Sequence, residues 1–147
     1  MVRTLGLLMA VFALLGMQGC GSGSSATGVS AVTLDQLAAT WDIMGSGTQN
    51  VGVNQCFGIC GVSFAGTITI NPNGSVSMSR TNHNSGTADT SVSDNGTLNV
   101  SPIGHGTLSF TSSGEVYEIQ FSRNLEVATF ANITSGGVFI SGMAVRR

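Results

Sequence analysis

From Glu115 to Arg147 the chain alternates apolar and polar residues with a period of two, and that period commits the segment to β-structure with one face buried. Tyr117, Ile119 and Phe121 alternate with Glu118, Gln120 and Ser122. Leu125, Val127, Thr129, Ala131 and Ile133 form a second series, and Val138, Ile140, Gly142 and Ala144 a third that runs into Arg146. The breaks, Ser122-Arg123-Asn124 and Thr134-Ser135-Gly136-Gly137, are short and made of turn residues, so each joins antiparallel neighbours. A chain that ends in three such strands has to bury their common face against more of the same.

Upstream, the same pattern recurs. Thr33 caps a short helical turn through Ala39, and Thr40-Trp41-Asp42-Ile43-Met44 starts the first strand. Phe64, Ile68 and Ile70 share a face, and Asn71-Pro72-Asn73-Gly74 turns the chain into a strand carrying Val76, Met78 and Arg80. Residues Thr81 to Asp94 are polar and without period, which predicts a long loop holding at most a short strand near Thr87–Ser91. Leu98 with Val100, then Leu108 with Phe110, complete the set. Trp41, Phe64, Val76, Leu98, Leu108, Ile119, Val127 and Ile140 mark eight strands joined by hairpin-length links. The expected fold is all-β: an eight-stranded antiparallel up-and-down barrel, with an open sandwich of the same strands as the competitor.

The N-terminus reads as an export signal. Arg3 precedes an apolar run from Leu5 to Leu15, too short to span a bilayer, and small residues follow it up to Gly19-Cys20. Gly19-Cys20 resembles the end of a bacterial lipoprotein signal, in which the Cys is acylated and becomes the new N-terminus; Met17 and Gln18 depart from that family's usual residues. Ordinary cleavage nearby, leaving Cys20 as a spare thiol, is the alternative. Cysteine parity favours acylation, because it leaves Cys56 and Cys60 as an even pair. The expected organisation is therefore a signal peptide over 1–19, a lipidated Cys and Gly/Ser tether over 20–33, and a barrel domain over 34–147. Residue Gly21 after the Cys resembles lipoproteins sent to the outer membrane, so the expected location is the bacterial cell envelope.

Leu37-Ala38-Ala39-Thr40-Trp41 resembles the Gly-x-Trp opening of lipocalin-like (calycin-type) barrels, with Ala39 in place of the Gly. The Gly-Thr-Ile and Gly-Thr-Leu pieces at Gly66, Gly96 and Gly106, and the ending from Ser141 to Arg147, are similar to small secreted bacterial members. The resemblance covers Leu37 to Arg147. It implies that Trp41 packs beside Arg146 or Arg147 to close one end of the barrel, a structural cation–π contact. It implies no activity, because the family includes carriers, inhibitors and members with no known role.

Charged residues make up 8% of the chain against about a quarter of ordinary domains, and there is no lysine, which argues against a nucleic-acid partner. Cys56-Phe57-Gly58-Ile59-Cys60 reads first as a structural disulfide of an oxidising compartment. A redox pair would use two intervening residues, and zinc would need further ligands. His83 and His105 read as exposed turn residues, and the acids as scattered loop or outward positions. Neither a metal set, a cofactor site nor a catalytic group is expected, and an enzyme is the weakest reading. Two readings lead. In one, a small apolar ligand is held among Phe64, Ile68, Met78, Leu98, Leu108, Phe110, Tyr117 and Ile119. In the other, a solid barrel contacts an envelope protein through its outside. Phe130, Phe139 and Met143, if outward, would give the second an apolar patch; a helix or the tether packing over them is the bland alternative.

Overall fold

A computed structural model describes residues 30–49, 60–85, 88–134 and 138–147. Cys20, Cys56 and the proposed signal and tether lie outside those residues, apart from the tether's last few positions. A single helical turn, α1 (Leu34–Leu37), leads into β1 (Ala39–Gln49), β2 (Cys60–Ile70), β3 (Ser75–Asn84), β4 (Thr90–Val100), β5 (His105–Phe110), β6 (Val116–Phe121), β7 (Val127–Asn132) and β8 (Val138–Arg146). Each strand pairs with the next, and β8 returns to β1 from Trp41↔Arg146 to Gln49↔Val138, closing the barrel. Closure is what removes the unpaired edges an open sandwich would leave.

The inward row is the apolar half of each alternation. Trp41, Ile43, Phe64, Ile68, Ile70, Val76, Met78, Leu98, Leu108, Phe110, Tyr117, Ile119, Phe121, Ile140 and Ala144 form one buried cluster. The Asn71–Gly74 turn is a tight one: Gly74 N donates to Asn71 O at 2.9 Å, and Gly74 has a φ of +82° that its lack of a side chain permits.

Two expectations are corrected. The segment Thr81 to Asp94 is mostly strand, not loop. β3 runs to Asn84 and pairs with β4 from Ser75↔Thr97 to Asn82↔Thr90. Its inward positions include polar Asn82 and charged Asp94 beside a single apolar residue, Val92, so no apolar period betrays it. The second correction is β7, which faces the other way. Ala128 and Phe130 are buried, while Thr129 and Ala131 are exposed. The turn before it explains the flip. Leu125 adopts a φ of +56°, and Ser122 N bonds Val127 O at 2.8 Å, so the strand starts at Val127 with the opposite parity from the Leu125 series.

Candidate functional site

One end of the barrel is sealed. Trp41 is 0% exposed and donates its indole N–H to Leu37 O at 3.1 Å, so α1 lies across the opening and gives the buried ring its polar partner. Phe121 meets Trp41 edge-on at 5.4 Å between ring centroids. The Arg146 guanidinium sits 5.9 Å from the Trp41 ring and donates to Gln36 O (2.9 Å) and Ala38 O (3.3 Å), tying β8 to both flanks of Leu37. Arg147 does something different: it pairs with Asp42 Oδ1 on the surface, at 2.9 Å from Nε and 2.6 Å from Nη2. Of the two arginines, Arg146 is thus the one placed over Trp41.

The other half of the interior contains a buried charge that the sequence did not flag. Arg80 follows Val76 and Met78 on the inward row of β3 and is only 6% exposed. Its Nη2 reaches both Glu115 oxygens at 2.8 Å, and its Nη1 donates to the Tyr117 hydroxyl at 3.0 Å. Tyr117 in turn donates to Glu115 Oε2 at 3.1 Å. The Phe64 ring lies 4.8 Å under the guanidinium. Burial opposes the positive charge on Arg80, but Glu115 and Tyr117 outweigh it and hold its pKa above the ordinary value; burial pushes the Tyr117 phenol up as well. Among the described residues, Arg80 Nε and Asn82 Oδ1 are buried near this end without a hydrogen-bond partner.

Phe130, expected outside, fills the space beside this cluster. It stacks on Phe64 at 6.0 Å and meets Tyr117 edge-on at 5.7 Å. Room for the stack comes from Gly45 and Gly142, which are paired across β1 and β8. A Cβ on Gly45 would stand 2.7 Å from Phe64 Cζ, and one on Gly142 2.6 Å from Phe130 Cζ. At Gly45 the Phe64 ring is the nearest obstacle to a side chain; at Gly142 the Met44 carbonyl of β1 excludes one as well as the Phe130 ring.

The residues expected to line a ligand cavity do meet inside the barrel, but they meet each other. Phe64, Ile68, Met78, Leu98, Leu108, Phe110, Tyr117 and Ile119 surround, with Arg80, Phe130 and the Trp41 end, a cavity of about 30 Å³. A single water needs at least about 10–15 Å³ of such space, whereas a site for a drug-sized molecule is on the order of 300–1,000 Å³. The interior admits a water or two.

A second carboxylate is buried where a loop acid was expected. Asp94, on the inward row of β4, accepts from Asn95 N (2.7 Å) and Ser112 N (3.0 Å) on Oδ1 and from Ser113 N (2.8 Å) on Oδ2. Burial works against its ionisation, yet these backbone donors prevail and hold the carboxyl far below the usual range. Asp94 thereby pins the β5–β6 turn, whose last residue is Glu115. Other titratable groups are also paired, His83 with Asp89 and His105 with Glu118, each at 2.8 Å on the surface. Cys60, at the start of β2, is buried.

Outside, the inward–outward alternation leaves large apolar side chains exposed on one side. Phe139 is 72% exposed, Met44 53% and Met143 42%; Val145 and Ile133 are exposed as well. Phe139 and Met143 are outward as expected; Phe130 is not, and Met44 joins them from the other side of β8, on β1.

No protein-family model matches the chain, and no curated protein matches it. Among solved structures it is similar to a de novo designed fluorescence-activating β-barrel, at 18% identity and a TM-score of 0.48 over 78% of this chain and 96% of that one. It is also similar to an S-type phycobiliprotein lyase from Guillardia theta, at 13% identity and a TM-score of 0.41 over 78% and 90%. Neither likeness bears on what this chain binds.

Proposed function

We propose that the chain is an exported, lipid-anchored, non-enzymatic module of the bacterial envelope that works through the outside of a solid barrel. The observation that carries this reading is the interior cavity of about 30 Å³. A carrier of small apolar ligands needs space that here is occupied by Phe64, Phe130 and their neighbours. The engaged carboxylates support the non-enzymatic part, since buried Asp94 holds a turn and partly exposed Glu115 neutralises Arg80. Acylation of Cys20 accounts for the odd cysteine. The remaining pair, Cys56 and Cys60, forms a disulfide at the mouth of the β1–β2 connection.

Native mass spectrometry of the protein purified gently from its own envelope tests the central claim. The expected species carries the Cys20 acyl chains and nothing else in the barrel. A co-purifying small apolar molecule at one per chain would replace this reading with the carrier. For the anchor, Cys20→Ser should move the protein into the wash when membranes are rinsed repeatedly; retention after rinsing would remove the lipid from the proposal. Alkylation without reductant should leave Cys56 and Cys60 unmodified, and labelling of both would dispose of the disulfide.

A further inference from the structure

We propose that the β7–β8–β1 face of the barrel lies against the uncharged part of a lipid bilayer surface. The face is continuous. Along β8 the outward positions are Phe139, Ser141, Met143 and Val145, and Met143 is the direct cross-strand partner of Met44 on β1. On the other side Thr129 of β7 pairs with Met143 and Ala131 with Ser141, and the exposed Ile133 follows directly after β7. Beyond Met143 the surface dips into an open trough of about 860 Å³ floored by Thr129, Ala131 and Ser141. The His105–Glu118 pair stands on its far rim, and Asp42 with Arg147 lies at the sealed end. Between these two pairs the face carries no charge among the described residues.

Exposed at 40–72%, Phe139, Met44, Met143 and Val145 present on the order of 400 Å² of apolar surface, close to the apolar share of one side of an ordinary protein–protein interface. Area alone therefore suits either a second copy or a bilayer. What favours the bilayer is that the chain outside the barrel supplies proximity. This step rests on the acylated Cys20 proposed above. Cys20 to Ser30 is eleven residues, able to span at most about 35–40 Å when extended, and the described chain begins where Val32 N bonds Pro102 O beside the β4–β5 turn. A tether of that length keeps the barrel at high effective concentration at the membrane, where a small apolar face is sufficient. With no lysine in the chain and no arginine between the bounding pairs, the contact needs no anionic lipid and is indifferent to salt.

The test uses the mature chain bearing Cys20→Ser, so that no acyl group contributes, floated with vesicles of uncharged phosphatidylcholine at increasing lipid. The expected result is reversible flotation that rises with lipid and is unchanged by added salt. Phe139→Ser/Met143→Ser in the same background should lower the partition coefficient by about tenfold. Both side chains are exposed, so the double variant should melt with the parent; Phe139→Ser alone, expected to give a smaller drop, guards against a folding defect. Equal partitioning of parent and double variant would overturn the proposal, as would flotation only with anionic lipid or none at any lipid concentration. A concentration-dependent dimer lost in the double variant would also overturn it, giving the face to a second copy. Reversible binding through the face alone is lost on repeated rinsing, so release of Cys20→Ser by rinsing judges the anchor separately from flotation.

Discussion

At the scale of single residues, the barrel's two buried ion sites make opposite demands. Asp94 is ionised in the folded state because three backbone N–H groups point at it. Its folded pKa lies below its unfolded one near 4, so its stabilisation is complete above the unfolded value and is lost as pH falls towards the folded one. Urea unfolding of the parent should therefore weaken from about pH 5 downward, and Asp94→Asn should be less stable at pH 7 by roughly 1–3 kcal/mol with a flatter acid limb. An unchanged acid limb would mean that other carboxylates set it. Arg80 is the reverse case, a cation kept inside by Glu115 and Tyr117. Glu115→Ala strands that charge and should cost up to about 3–5 kcal/mol, less to the extent that Glu115 is partly exposed. Arg80→Met/Glu115→Ala should recover part of the loss, because a buried pair is often no better than an apolar replacement. A double variant as unstable as the sum of the singles would contradict that account.

At the scale of strands, β1 and β8 meet at Gly45 and Gly142, where the Phe64 ring and, together with the Met44 carbonyl, the Phe130 ring leave no room for a side chain. Gly45→Val should overpack the Phe64 ring, the nearest group to that position, and destabilise by about 1–3 kcal/mol, readable as a shift in the denaturation midpoint at constant slope. A neutral effect would mean that the rings do not fill the interior as described. The same region shows what sequence pattern can and cannot deliver. Strand number, order and most inward rows were legible, because Trp41, Ile68, Leu98 and Tyr117 alternate with polar residues. β7 was misread because Val127-Ala128-Thr129-Phe130-Ala131 is nearly as apolar on one parity as on the other. The positive φ at Leu125, which decides the matter, has no glycine to announce it. Around its turn the β3–β4 hairpin carries no apolar period because Arg80, Asn82 and Asp94 stand on its inward rows and Val92 alone interrupts them. The Arg80–Glu115 pair joins residues thirty-five positions apart and leaves no local trace.

For the whole molecule, sealing and filling are separable. Trp41 seals one end; Trp41→Ala should cost about 3–5 kcal/mol, and a loss under about 1 kcal/mol would mean that α1 and Arg146 close the barrel without it. Phe130 fills the middle. If the barrel is solid only because its rings interlock, removing one should turn it into a receptor. Phe130→Ala deletes a ring whose centroid lies 5.7–6.0 Å from those of Phe64 and Tyr117, leaving a void walled mainly by the rings of Phe64 and Tyr117 and by Ile119. Voids of this kind are dry and bind benzene-sized molecules when their walls are apolar. The parent should show no saturable uptake of benzene by calorimetry or thermal shift, while Phe130→Ala, if it remains folded, should gain a benzene-dependent rise in melting temperature. Uptake by the parent would show that the closed interior opens readily enough to admit ligands, and the solid-barrel reading would give way to carriage. A variant that folds but takes up nothing would mean that the walls collapse into the vacated space, so that fullness is a property of the whole cage rather than of the Phe64–Phe130 stack.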